Sequence, residues 1–96
     1  MTTKAYYKRD GSVTDIQSWT ALQRDVRTIQ VDNTRLENGR WVSTIWLGIA
    51  DQADAKPMIF ETSVFNDETR RRIEKMRHAN EAGALQNHAL MVRKWG

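Results

Sequence analysis

The sequence predicts an α+β domain in which four or five mostly antiparallel strands pack with two helices. Three observations carry that expectation. Residues 40–50 and 57–65 are two strand-length segments rich in β-branched and aromatic side chains, separated by a short polar loop. Ile16, Trp19, Leu22 and Val26 recur at helical spacing. The last third is dominated by Glu, Lys, Arg, Met, Ala and Leu, which favour helices.

Taken in order, Lys4 to Arg9 is the first expected strand, closed by the turn dipeptide Asp10-Gly11. Thr14 and Gln17 match a capping box, in which hydroxyl and amide satisfy free backbone donors, and so open a helix over about Asp15 to Arg27. A second strand runs from about Ile29 to Leu36, and Asn38-Gly39 follows as a hairpin signal. As a two-residue turn it pairs Leu36 with Trp41, Asn33 with Thr44 and Val31 with Trp46. The third strand is then apolar on both sides: Trp41, Ile45, Leu47 and Ile49 on one, Val42, Trp46 and Ala50 on the other. Such a strand belongs in the middle of a sheet with both faces covered. Pro57 lacks an amide donor and suits the start of the fourth strand, which Asn66-Asp67 ends.

Residues 70–95 admit two readings. One is a single long helix. The other is a fifth strand over Arg72 to His78, an N-cap at Asn80, and a helix from Glu81 to about Lys94, with Leu85, His88, Ala89, Val92 and Trp95 as its apolar stripe. Asn80 is a good cap and a poor interior residue, which favours the break.

Length and composition set limits. A 96-residue chain is expected to be one domain, and 28% charged against 40% hydrophobic residues suits a soluble fold rather than a disordered one. With no cysteine, disulfides, thiolate metal sites and cysteine nucleophiles are excluded. The first residues lack the apolar core of a signal peptide, and no run reaches the ~18 apolar residues of a membrane span. A cytoplasmic protein with no membrane partner is the expectation. The net charge of +3 lies wholly in residues 66–96, where seven basic residues face four acidic ones; Arg70, Arg71, Arg72, Lys75 and Arg77 form the densest cluster. Such a patch suits phosphates or an acidic protein surface, and equally a solvated strand edge.

Tyr6-Tyr7, Trp19, Val42 to Gly48, Ile59 to Phe65, Ala84 to His88 and Met91-Val92 together resemble a family of small proteins from actinobacteria and their phages. Its members share a tyrosine-rich start, a helix with a central Trp, "VSTVWLG" and "IFETMVF" strands, and a final helix with "EALAGH" and "MV". The resemblance spans most of the chain in order, and implies a short strand before the last helix. Where that family often has Asp-His after the "WLG" strand, this chain has Asp51-Gln52-Ala53-Asp54. The resemblance implies a phage or prophage setting, in which small proteins often act on host machinery or host defence.

Candidate site residues fall into two groups. Glu61, set among apolar neighbours, needs a partner if covered, and His88 lies on the stripe of the last helix. With Thr44 and Thr62 they form a candidate polar pocket at the sheet–helix interface. Each also has an ordinary reading: a salt-bridged strand carboxylate, a neutral histidine bonded to a carbonyl or carboxylate, and two common strand formers. The pocket lacks a nucleophile and a third partner, so an enzyme is not expected. Two histidines without cysteines make no typical zinc site; neither metal nor cofactor is expected. The second group, Trp41, Tyr6, Tyr7, Arg70, Arg71, Arg72, Lys75 and Arg77, is a candidate interface or ligand surface. The favoured function is a non-enzymatic, phage-type accessory protein that binds a host protein in the host cytoplasm, as a possible homodimer. The alternatives are a binder of a small nucleotide signal in a dimer groove, and a weak binder of nucleic acid, for which +3 is a low charge.

Overall fold

A computed structural model describes residues 3–96. Its strands are β1 (Lys4–Tyr7), β2 (Val13–Thr14), β3 (Gln30–Arg35), β4 (Arg40–Trp46), β5 (Ile49–Asp51), β6 (Phe60–Asn66) and β7 (Arg72–His78). The helices are α1 (Ile16–Gln23), α2 (Val26–Ile29) and α3 (Glu81–Trp95). The chain is an α+β fold of two antiparallel sheets, ordered β2-β1-β5 and β3-β4-β6-β7.

The first helix differs from the expected one at both ends. Asp15, not Thr14, is its N-cap, its carboxylate accepting from the Ser18 amide at 2.7 Å. A carboxylate outcompetes the hydroxyl one residue earlier because its hydrogen bond is charge-assisted. Asp25 then caps α2 by accepting from the Arg27 amide, which breaks the expected helix at Arg24. Trp19 and Leu22 pack on the core, but Ile16 and Val26 are exposed.

The β3–β4 hairpin is shifted by one residue from the expected register, with Arg35 opposite Trp41, Asn33 opposite Ser43 and Asp32 opposite Thr44. Only Gly39 takes a positive φ, +82°. The loop therefore holds three residues, 37–39: the Gly39 amide donates to the Leu36 carbonyl, and the Leu36 amide to the Arg40 carbonyl at 2.8 Å.

The expected strand over residues 40–50 is two strands joined by a bend at Gly48. The amides of Leu47 and Gly48 both donate to the Ile59 carbonyl, at 2.7 and 3.2 Å. Gly48 has φ +66°, and a Cβ there would lie 2.3 Å from the Trp46 ring and 2.7 Å from the Tyr7 carbonyl oxygen. The chain then leaves the four-stranded sheet, and β5 pairs with β1. Pro57, Met58 and Ile59 precede β6 rather than start it.

Residues 70–95 follow the broken reading. β7 and α3 are separate, and the Asn80 side chain accepts from the Gly83 amide at 2.8 Å. Of the expected stripe on α3, His88 is buried and Val92 and Trp95 pack against the core, while Leu85 and Ala89 face solvent; Ala84 and Met91 complete the buried side. Trp46, Ile59, Phe60 and Ala84 form one core cluster, joined by Trp19 and Leu22 of α1, and Val42, Val64 and Met91 form another. Both long helices thus cover the same side of the four-stranded sheet. Val42, Thr44 and Trp46 face them and are buried; Trp41, Ser43 and Ile45 on the other side are half-buried and uncovered by a helix. The expectation that β4 is covered on both faces is corrected accordingly. Among the described residues no helix is long and apolar enough to cross a membrane.

Because Gly48 combines a left-handed backbone with a close approach to Trp46, Gly48→Ala is expected to cost about 2–4 kcal/mol in urea unfolding, from backbone strain and overpacking together. A loss below about 0.5 kcal/mol contradicts the role assigned to this bend.

Candidate functional site

The two faces of the four-stranded sheet separate the expected pocket. Pairing of β4 with β6 sets Val42, Thr44 and Trp46 opposite Val64, Thr62 and Phe60 on the helix-covered face. It sets Trp41, Ser43 and Ile45 opposite Phe65, Ser63 and Glu61 on the open face. Thr62 and Glu61 are successive strand residues and point to opposite sides. Glu61 therefore does not meet His88, Thr44 or Thr62, and the four-residue pocket is corrected to two separate sites.

On the covered face, His88 of α3 sits over Thr44. Its Nδ1 is 2.7 Å from Thr44 Oγ1, and its Nε2 is 2.9 Å from Thr34 Oγ1 and 3.6 Å from Asp32 Oδ2. Thr44 Oγ1 is 2.7 Å from Thr62 Oγ1, which is 3.0 Å from His78 Nε2. Thr34, His88, Thr44, Thr62 and His78 thus form one hydrogen-bonded chain across all four strands. Each hydroxyl and each neutral imidazole carries one proton, so the tautomer of one histidine sets the direction of the chain and hence the tautomer of the other. Thr44, Thr62, His78 and His88 are all buried, so the chain acts on the fold, locking α3 to the sheet. Thr34, Asp32 and His78 were not singled out in the sequence.

Burial pushes the His78 imidazole below its ordinary range. It does the same to His88, against the opposing pull of the Asp32 carboxylate.

On the open face, the ladder aligns three rows of side chains across the strands. The middle row, short on β3, β4 and β6, lies between two rows of longer side chains that outline a shallow groove. Its floor is the row Asn33, Ser43, Ser63 and Lys75. One wall is Arg35, Trp41, Phe65 and Arg72; the other is Gln30, Ile45, Glu61 and Arg77. The Trp41 and Phe65 rings stack with centroids 4.5 Å apart, and the Arg35 guanidinium lies over the Trp41 ring, 5.4 Å from its centroid. Glu61 is only 8% exposed. Its Oε1 accepts from Arg72 Nη1 at 3.0 Å and Ser63 Oγ at 3.4 Å, and its Oε2 from Arg77 Nε at 3.2 Å. The structure thus brings Trp41, Arg72, Lys75 and Arg77 together. Arg70 and Arg71 lie in the β6–β7 turn. Tyr6 and Tyr7 lie on β1 in the other sheet, Tyr6 with its ring 5.2 Å from that of Trp19 and Tyr7 against the core. Phe65, Arg35 and Ser63 were missed in the sequence.

Among the described residues, no group of three or more His, Asp or Glu side chains could hold a metal ion.

Two outcomes follow for the buried chain. Acidification through pH 6.5 lets the unfolded chain take up protons that the folded histidines refuse, so stability falls as pH drops and levels off below the folded-state values. The expected slope in denaturant titrations between pH 7 and 5 is at most about 1.4 kcal/mol per pH unit for each histidine. A pH-independent midpoint over that window contradicts the neutral chain. Thr44→Val keeps the shape but strands His88 and Thr62, at an expected cost of about 1–3 kcal/mol in the same assay. Comparison with protein-family models, with curated proteins and with solved structures found no match.

Proposed function

We propose that this chain is a non-enzymatic binding module that docks on another protein through the open face of its four-stranded sheet. The groove across the strands, walled by Trp41 and Phe65 on one side and Ile45 on the other, is the observation that carries the reading. Half-exposed aromatic and aliphatic side chains beside arginines match the anchors of protein interfaces. The resemblance to phage-type accessory proteins supports a host protein as the partner and the host cytoplasm as the setting.

The geometry favours a protein over a nucleic acid. A base stacks on the face of an aromatic ring. The Trp41 ring is already stacked on Phe65 and has the Arg35 guanidinium beside it, so a base would have to displace one of them. The nucleotide reading asked Tyr6 and Tyr7 to line a groove with Trp41 and Arg70 to Arg72. The tyrosines instead pack around α1 and the core, on the other sheet.

A photo-crosslinking residue in place of Ser43, on the groove floor, tests the reading in host cells against the same residue in place of Gln86, exposed on α3. The Ser43 position is expected to capture one predominant protein that the Gln86 position does not. Adding Trp41→Ala should remove at least about 2 kcal/mol of binding, roughly 30-fold in affinity. Equal capture from both positions, or none from Ser43, contradicts the proposal.

A further inference from the structure

The edge of the four-stranded sheet at β7 carries its own signal. β7 is the last strand in the order β3-β4-β6-β7, so one side of its backbone has no neighbouring strand. Register puts Arg72, Lys75 and Arg77 opposite Phe65, Ser63 and Glu61, all on the open face. Glu61 anchors the two arginines through one donor each, and their side chains remain 43% and 53% exposed. A guanidinium has five N–H donors. The remaining donors of Arg72 and Arg77 have no partner among the described residues, and neither has the Lys75 ammonium. Glu61 is the carboxylate bonded to this cluster. Arg77 also shares a surface pocket with Lys4, Asp51 and Asp54, so the uncompensated positive charge is greatest at Arg72 and Lys75. At the far edge Arg35 is neutralised by Asp67.

The other side of the strand differs. Met76, opposite Thr62, points to the helix-covered face yet is 38% exposed, because α3 does not fully cover the edge. β7 therefore presents cations on one face and an uncovered apolar side chain on the other, at the two-residue period of a strand.

We propose that β7 accepts an extended segment of a partner protein as a fifth strand, one that alternates acidic and apolar residues. This rests on the reading of the chain as a protein-docking module. Alternate side chains of such a segment set carboxylates beside Arg77 and Lys75 and apolar groups beside Met76, while its backbone takes up the free donors and acceptors of the edge. A second copy does not fit, because antiparallel pairing of two β7 strands opposes cation to cation.

The test uses three capped octapeptides alternating valine with glutamate, glutamine or lysine, titrated into the whole protein with amide chemical shifts and hydrogen exchange as readouts. The glutamate peptide is expected to shift and protect the amides of β7, and to bind at least tenfold more tightly than the glutamine peptide. Lys75→Glu, which breaks no ion pair, should lower that affinity at least tenfold and raise affinity for the lysine peptide. Equal binding of the glutamate and glutamine peptides, or shifts confined to α1, overturns the proposal. Binding over Ser43 without protection of β7 overturns strand addition but leaves the docking reading standing, which the Ser43 crosslink tests separately. Stronger competition by a phosphoserine peptide or an oligonucleotide of equal charge overturns the carboxylate assignment.

Discussion

His88 decides where the last helix lies. Its ring reaches Thr44 with one nitrogen and Thr34 with the other, so α3 cannot slide or turn on the sheet without leaving a buried polar atom unpaired. Apolar contacts alone tolerate such slippage; a buried hydrogen-bonded chain does not. With α3 held, Ala84 and Met91 fill the two core clusters on the same side, and the sheet is left with one dry face and one open one. The groove exists because of that asymmetry.

The C-terminal end of α3 is tied down as well. The Trp95 carbonyl accepts from Asn38 and Arg40 of the β3–β4 hairpin, and its indole N–H donates to Glu74 of β7. Lys94 reaches the same carboxylate at 3.0 Å. These contacts join the two edge regions of the sheet through the helix, whereas α1 meets it chiefly through Trp19 and Leu22. Trp19 and Gln23 both donate to the Leu47 carbonyl, freed from the β ladder by the bend at Gly48. The bend therefore also seats α1.

Local signals in the sequence were legible where a single residue dominates. Asn80 marks the start of α3, and the strand before it spans residues 72–78 as expected. The hairpin register was not legible, because Asn-Gly serves equally well in a two-residue turn and in a three-residue loop with glycine in the left-handed position. That one-residue difference turns Asn33 away and brings Asp32 and Thr34 to the covered face, while the irregularity between Gln30 and Asp32 keeps Val31 packed on the core. It explains why two neighbours of His88 went unnoticed. The separation of Glu61 from Thr62 was available from strand alternation alone; the pull of a carboxylate near a histidine obscured it. Arg72, Lys75 and Arg77 read as a charge cluster, but only pairing with β6 puts them on one face beside Trp41 and Phe65.

The floor of the groove takes one residue from each of the four strands, Asn33, Ser43, Ser63 and Lys75. Whatever sits there spans the ribbon crosswise, as a batten spans planks. Sliding of any strand past its neighbour would pull the floor out of line beneath it. On the docking reading, an occupant of that row would be coupled to the cohesion of the sheet, resisting slippage of one strand past the next.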